Sequence, residues 1–139
     1  MRKLVQIICL AALCLGLSAE ELTGIWVGQI PVGRQGAMLD IAFKIDQKGN
    51  VIQGKLYGDY KSSPITEGSI TGNQVTFSVI TQEQAGNEIN NTLLKFTGTV
   101  NGNELEVTRE RGFATSAGNG GGYQFRNNKP VTFKLKRLI

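Results

Sequence analysis

The sequence predicts an all-β protein: an antiparallel up-and-down barrel of eight strands behind a cleaved N-terminal leader. Three observations carry this reading. From Gly24 onward, short stretches rich in Val, Ile, Thr and Phe alternate apolar and polar residues at period two, punctuated by Gly, Asn and Asp. No window carries a helical stripe. Tight and long connections alternate along the chain, which in a meander sends all tight turns to one end and all long loops to the other.

The leader comes first. Arg2 and Lys3 precede a small and apolar run over 4–17, then Ser18 and Ala19 stand before Glu20 and Glu21. This is the pattern of a secretory signal peptide over 1–19, too short for a comfortable membrane span, with cleavage expected after Ser18 or Ala19. Cys9 and Cys14 both lie inside it, and Leu13 directly before Cys14 departs from a lipoprotein site. The mature chain, 20–139, is therefore expected to be one exported domain, periplasmic or extracellular, with no stable membrane anchor and no cysteine. Its length suffices for a self-standing core. The formal charge of +4 falls to +2 once Arg2 and Lys3 leave, with thirteen Lys and Arg against eleven Asp and Glu. Those charges are scattered, which excludes the basic stripe of a nucleic-acid binder.

Strands are expected at 24–30, 37–45, 51–58, 65–70, 74–81, 92–100, 104–110 and 131–137. Tight turns are expected at 46–50, 71–73 and 101–103, the last with Asn101-Gly102 as a favoured two-residue hairpin dipeptide. Longer connections fall at 31–36, 59–64, 82–91 and 111–130. Parity assigns the interior strand by strand: Trp26, Gly28 and Ile30; Leu39, Ile41, Phe43 and Ile45; Ile52, Gly54, Leu56 and Gly58; Gly68 and Ile70; Val75, Phe77 and Val79; Leu94, Phe96, Gly98 and Val100; Leu105 and Val107; Val131, Phe133 and Leu135. The opposite face is polar, as Glu104, Glu106, Thr108 and Glu110 or Thr132, Lys134 and Lys136 illustrate. A wet face and a dry face suit a closed barrel, which disposes of unpaired edges; a β-sandwich is the alternative.

Gly24-Ile25-Trp26 in the first strand and Arg137 in the last resemble the lipocalin and avidin-like (calycin-like) barrels. That resemblance implies an arginine packed across the tryptophan to close the barrel, a structural role for Gly24, Trp26 and Arg137. Four further stretches resemble a narrower group, small bacterial exported or hydrolase-appended domains of uncertain function. They are Val51-Ile52-Gln53-Gly54-Lys55-Leu56-Tyr57-Gly58; Gly68-Ser69-Ile70-Thr71-Gly72-Asn73-Gln74-Val75-Thr76-Phe77; Phe96-Thr97-Gly98-Thr99-Val100-Asn101-Gly102-Asn103-Glu104-Leu105; and Thr108-Arg109-Glu110-Arg111-Gly112-Phe113-Ala114-Thr115. The chain departs from that group by an insertion over 117–130. Biotin binding does not carry over, because the avidin pocket is walled by several tryptophans and Trp26 stands alone.

Without histidine or mature cysteine, Ser-His and Cys-His nucleophile systems and nearly all zinc sites are excluded. Asp40, Glu104 and Glu106 face outward and Asp59, Glu83 and Glu88 lie on loops, so no carboxylate pair is placed in a pocket. The expectation is a non-enzyme without metal or cofactor. Arg109 follows Leu105 and Val107 at inward parity toward the long-loop end, where its planar fork could hold a carboxylate or phosphate, or reach water at the rim. Arg34 and Arg126 are further candidates for the same head group.

The inward glycines Gly28, Gly54, Gly58, Gly68 and Gly98 read either as relief of strand curvature or as a hollow; Phe43, Phe77, Phe96 and Phe133 would fill much of it. The segment 112–128 sets Phe113, Tyr123, Phe125 and Arg126 around a glycine run that lacks the features of a phosphate loop. Its aromatics could stack on a sugar or cover the mouth, or the segment could be a plain connector. Three functions follow: an exported lipocalin-like binding module for a small, partly apolar ligand at the long-loop end; a filled barrel serving as a structural or protein-interaction domain of the envelope; and a glycan-binding accessory domain.

Overall fold

A computed structural model describes residues 20–32, 35–58, 61–85, 88–114, 123–124 and 129–139, with side chains throughout except at 83–85, 88–90, 113–114 and 123–124. The expected leader at 1–19, with Cys9 and Cys14, lies outside the described residues. The described residues form nine strands: β1 (Gly24–Val32), β2 (Ala37–Lys48), β3 (Val51–Leu56), β4 (Ser63–Thr71), β5 (Gln74–Ala85), β6 (Glu88–Asn101), β7 (Glu104–Ala114), β8 (Tyr123–Gln124) and β9 (Val131–Arg137). Each strand from β1 to β6 pairs antiparallel with the next, β7 pairs with β9, and β9 returns to β1. The result is the closed eight-stranded up-and-down barrel. The two-residue β8 was not expected; it joins β7 at Phe113 and Ala114, beyond the point where β9 stops.

The tight end is built from one repeated device. Gly49, Gly72 and Gly102 have φ of 62°, 60° and 63°, and each is followed by an asparagine that does not share the positive φ. Lys48 pairs with Val51, Thr71 with Gln74 and Asn101 with Glu104, so the central residues of every turn are Gly-Asn. A positive φ at the first central position alone is the signature of a type II′ turn. The expected Asn101-Gly102 turn is thus shifted by one residue to Gly102-Asn103. Each turn is also tied to the next strand pair: the Asn50, Asn73 and Asn103 carbonyls accept from the amides of Ile70 (3.0 Å), Val100 (2.9 Å) and Arg137 (2.8 Å).

The opposite end differs from expectation in one loop. Residues 82–91 are not a long connection, because β5 and β6 run on as a ladder until Ala85 pairs with Glu88. β4 stops pairing at Val79 and β7 at Thr92, so the hairpin beyond those rows is a ribbon paired only with itself. A ribbon without neighbours has no buried face to impose apolar alternation, which hides it from a period-two reading.

The first hairpin also outruns its neighbours, but it keeps Ile30 in the core. β1 pairs with β9 only from Trp26 to Gly28, and β2 meets β3 no higher than the bond from the Tyr57 amide to the Ala42 carbonyl. Above those rows Gln29 to Val32 and Ala37 to Ile41 form an arm. Ile25 exchanges its backbone bonds with the C-terminal residues on the β9 side, so by alternation Pro31, which has no N–H, faces that same seam. Proline is tolerated there because the ladder has already ended. Leu39 has inward parity yet is 58% exposed and neighbouring Met38 is 50% exposed, because β2 has risen past the end of β3, while the cross-strand partner Ile30 stays buried at 4%.

Parity also breaks in β4. Its register shifts between Thr66 and Ser69 against β5, and between Ile52 and Lys55 of β3, around Glu67 at φ 52°. The bulge turns both Ile65 and Ile70 inward although they are an odd number of residues apart.

The interior is filled at its middle. Phe43 meets Phe77 edge-on at 5.4 Å and Phe96 edge-on at 5.3 Å, while Phe77 and Phe96 stack at 4.9 Å. Trp26, Ile45, Ile52, Ile70, Val75, Val100, Leu105 and Leu135 fill the space toward the tight turns. The inward glycines do not hollow this core. A Cβ on Gly54, at φ 142°, would fall on the Lys44 carbonyl oxygen, and one on Gly28 on that of Lys134. They are places where a coiled strand presses against its neighbour's backbone, which decides between the two readings in favour of curvature.

Candidate functional site

The sealed end explains Trp26 and Arg137. The Arg137 guanidinium carbon lies 4.6 Å from the centre of the Trp26 ring system. Its Nη1 donates to the Thr23 carbonyl at 2.6 Å, and its Nη2 to the carbonyls of Glu21 at 2.6 Å and Gly102 at 3.3 Å. Trp26 Nε1 donates to the Leu22 carbonyl at 2.9 Å. Leu22, fully buried, plugs the floor, and its amide donates to Gln47 Oε1 at 2.7 Å. Gly24, at φ 148°, lies so close to the C-terminus that an added Cβ would sit 2.5 Å from the Ile139 carbonyl oxygen. Hydrogen bonds donated by the Thr23 side chain and backbone, aided by the nearby Arg137 charge, hold the Glu21 carboxyl below its ordinary range against a small burial cost. These residues are occupied in closure. Sequence reading missed Leu22, whose only signal is an isolated apolar residue between polar ones just before the first strand.

Above the phenylalanines the inner face changes character. On β7, Leu105 and Val107 are buried, and Arg109 and Arg111 continue the same parity up the wall, both half-buried. Arg109 is flanked by Phe96 and Val131, and Arg111 by Leu94. Both arginines have partners within the protein. On the neighbouring strand, the inward row Phe96, Leu94 and Thr92 ends on a hydroxyl. Thr92 is 0% exposed, and its Oγ1 has no hydrogen-bond partner. Partly buried Val32, Ile41, Leu56 and Val131 pack at the margin of the core. The inner face above the phenylalanines thus carries, on the β6–β7 wall, two half-buried arginines and a buried hydroxyl.

Of the candidate binding residues, Arg109 takes the expected inward place. Phe113 and Tyr123 lie on β7 and β8, with Phe113 facing Thr92 in register and Tyr123 facing Ala114, but their side chains are outside the described set. Arg34, Phe125 and Arg126 lie outside the described residues altogether, as does the glycine run of 118–122. Arg111 falls in the connection expected at 111–130, whereas β7 runs on to Ala114; parity two residues beyond Arg109 is the signal that finds it. Thr92 offers none, since a threonine in a strand is ordinary on either face.

Outside the barrel, Thr99, Asn101, Glu104, Glu106 and Lys134 line an open groove of about 270 Å³. It is a cross-strand polar ladder, with Glu106 flanked by Thr99 and Lys134. No group of three acidic side chains able to hold a metal occurs among the described residues. Searches against protein-family models, curated proteins and solved structures return no match for the chain.

Proposed function

We propose that the protein is an exported, non-enzymatic, lipocalin-like binding module that takes one small, partly apolar ligand at the open end of its barrel. The observation that supports this most directly is the inward parity of Arg109 and Arg111 above the phenylalanine layer, where this reading puts an apolar bowl. Both have partners within the protein, and the anionic or polar group of a ligand would join them there. The ligand rests on the phenylalanine layer instead of passing through it. Export rests on the 1–19 leader, and kinship with the calycin-like barrels on the architecture and the Trp26 and Arg137 closure.

The test is native mass spectrometry of the mature chain after exposure to mixtures of lipids and small metabolites. A single retained mass is expected, lost when Leu56→Trp fills the bowl. A chain that emerges without added mass from every mixture overturns the reading.

One observation favours the second reading, a filled barrel that serves protein contact: the core is solid from the tight turns up to the phenylalanines, and Met38 and Leu39 stand uncovered on the arm. The outer groove beside Glu104 is the place a glycan-binding role would use, and retardation in polysaccharide affinity gels would reveal it.

A further inference from the structure

Thr92 holds a polar atom that the fold itself does not use. A buried hydroxyl without a partner forfeits its bonds to water with no return, and it is tolerated where a bound group supplies the missing partner. Its position narrows what that group is. Thr92 pairs with Phe113 and Leu94 with Arg111, so Thr92 and Arg111 are diagonal neighbours on the inner face of adjacent strands, within reach of a shared atom. An arginine only donates, and a hydroxyl beside it is best completed by an acceptor that both can reach. An acceptor that also carries negative charge makes the stronger, charge-assisted bonds.

We propose that this corner is the head-group site of the open-end ligand, and that the head is an oxyanion bridging the Thr92 hydroxyl and the Arg111 guanidinium, with the apolar body turned toward Leu39 and Ile41. The proposal rests on the open-end binding reading and adds to it the polarity of the head, its location and its orientation. The head lies against the β6–β7 wall. The tail leaves along the inner face of the arm, past Leu39, which has inward parity and is 58% exposed.

The experiment titrates the full mature chain with four probes of equal tail length: octanoate, octyl phosphate, octanol and octyltrimethylammonium. Octanoate or octyl phosphate is expected to bind at least about tenfold tighter than octanol, with the cation weakest. The difference between the two anions tells a carboxylate site from a phosphate site. Thr92→Val, which keeps the shape and removes the hydroxyl, is expected to act in opposite directions on two readouts. The unliganded melting temperature rises by on the order of 3–5 °C, because an unmet polar group is gone. Affinity for the preferred anion falls by about tenfold, while affinity for octanol stays.

Thr92→Ser, which restores the hydroxyl, is expected to recover anion affinity. Octanol binding as tightly as both anions overturns the head-group inference and leaves the binding module standing. So does a Thr92→Val variant with unchanged anion affinity. Failure of all four probes to bind overturns both.

Discussion

The two ends of the barrel are made by opposite rules. At the sealed end three Gly-Asn turns repeat one geometry, each handing a carbonyl to the next strand, and Leu22, Trp26 and Arg137 close the floor, with backbone carbonyls accepting from Trp26 Nε1 and both Arg137 Nη atoms. At the open end two hairpins run past their neighbours, inward positions carry arginines and a threonine, and apolar side chains stand uncovered. The first arrangement leaves only Arg137 Nε unmet among the described residues of the floor; the second leaves the Thr92 hydroxyl without a partner and Met38 and Leu39 uncovered. On the proposed binding function, stability and recognition belong to different ends, and substitutions at the two should separate into effects on folding and effects on binding.

The strongest way to break this division is Trp26→Ala. Losing a fully buried ring at the floor is expected to cost about 3–5 kcal/mol in urea denaturation, a large share of what a domain of this size possesses. Next is a matched pair of changes. Arg137→Met keeps the stem but removes the contact over Trp26 and the bonds to three carbonyls, for about 2–4 kcal/mol. Arg109→Met should cost less than about 1 kcal/mol and reduce ligand affinity instead. Equal destabilisation by the two would abolish the distinction between ends. Between them in the chain, Glu67 at φ 52° occupies a conformation that glycine adopts freely, so Glu67→Gly is expected to raise stability by up to about 1 kcal/mol.

The smallest effect is electrostatic. Glu21 has a folded-state pKa below its unfolded value, so its contribution is fully present above the unfolded value and is lost as pH falls through the folded one. Acid titration of stability should show Glu21→Gln slightly weaker than the native chain at neutral pH, with the two curves merging in the acid range.

How far the fold could be read from residues alone follows the same division. Period-two alternation placed Trp26, Phe43, Phe77, Phe96, Val107 and Leu135 inside because every one sits in a strand paired on both sides, where one face must be dry. It failed where that condition failed. Leu39 keeps its parity but not its burial, the ribbon beyond Thr81 carries no alternation, and the bulge at Glu67 inverts the phase that would have included Ile65. The turn register was misplaced by one residue because Asn-Gly and Gly-Asn overlap at 101–103, and only the φ values separate them. Arg109 was legible as an inward cation. Thr92 was not, because the oddity lies in a missing partner, which no string of residue types records.

The first strand and the last residues clasp each other, the Ile25 amide donating to the Ile139 carbonyl at 2.7 Å and the Leu138 amide to the Ile25 carbonyl at 2.7 Å. Both ends of the domain therefore emerge side by side from the sealed floor. Anything spliced there, a reporter, a surface handle or a second domain, would act as a tether that points the bowl outward like a cup on a stem. The same adjacency permits the old ends to be joined and new ones cut elsewhere, provided that the cut spares the Gly-Asn turns.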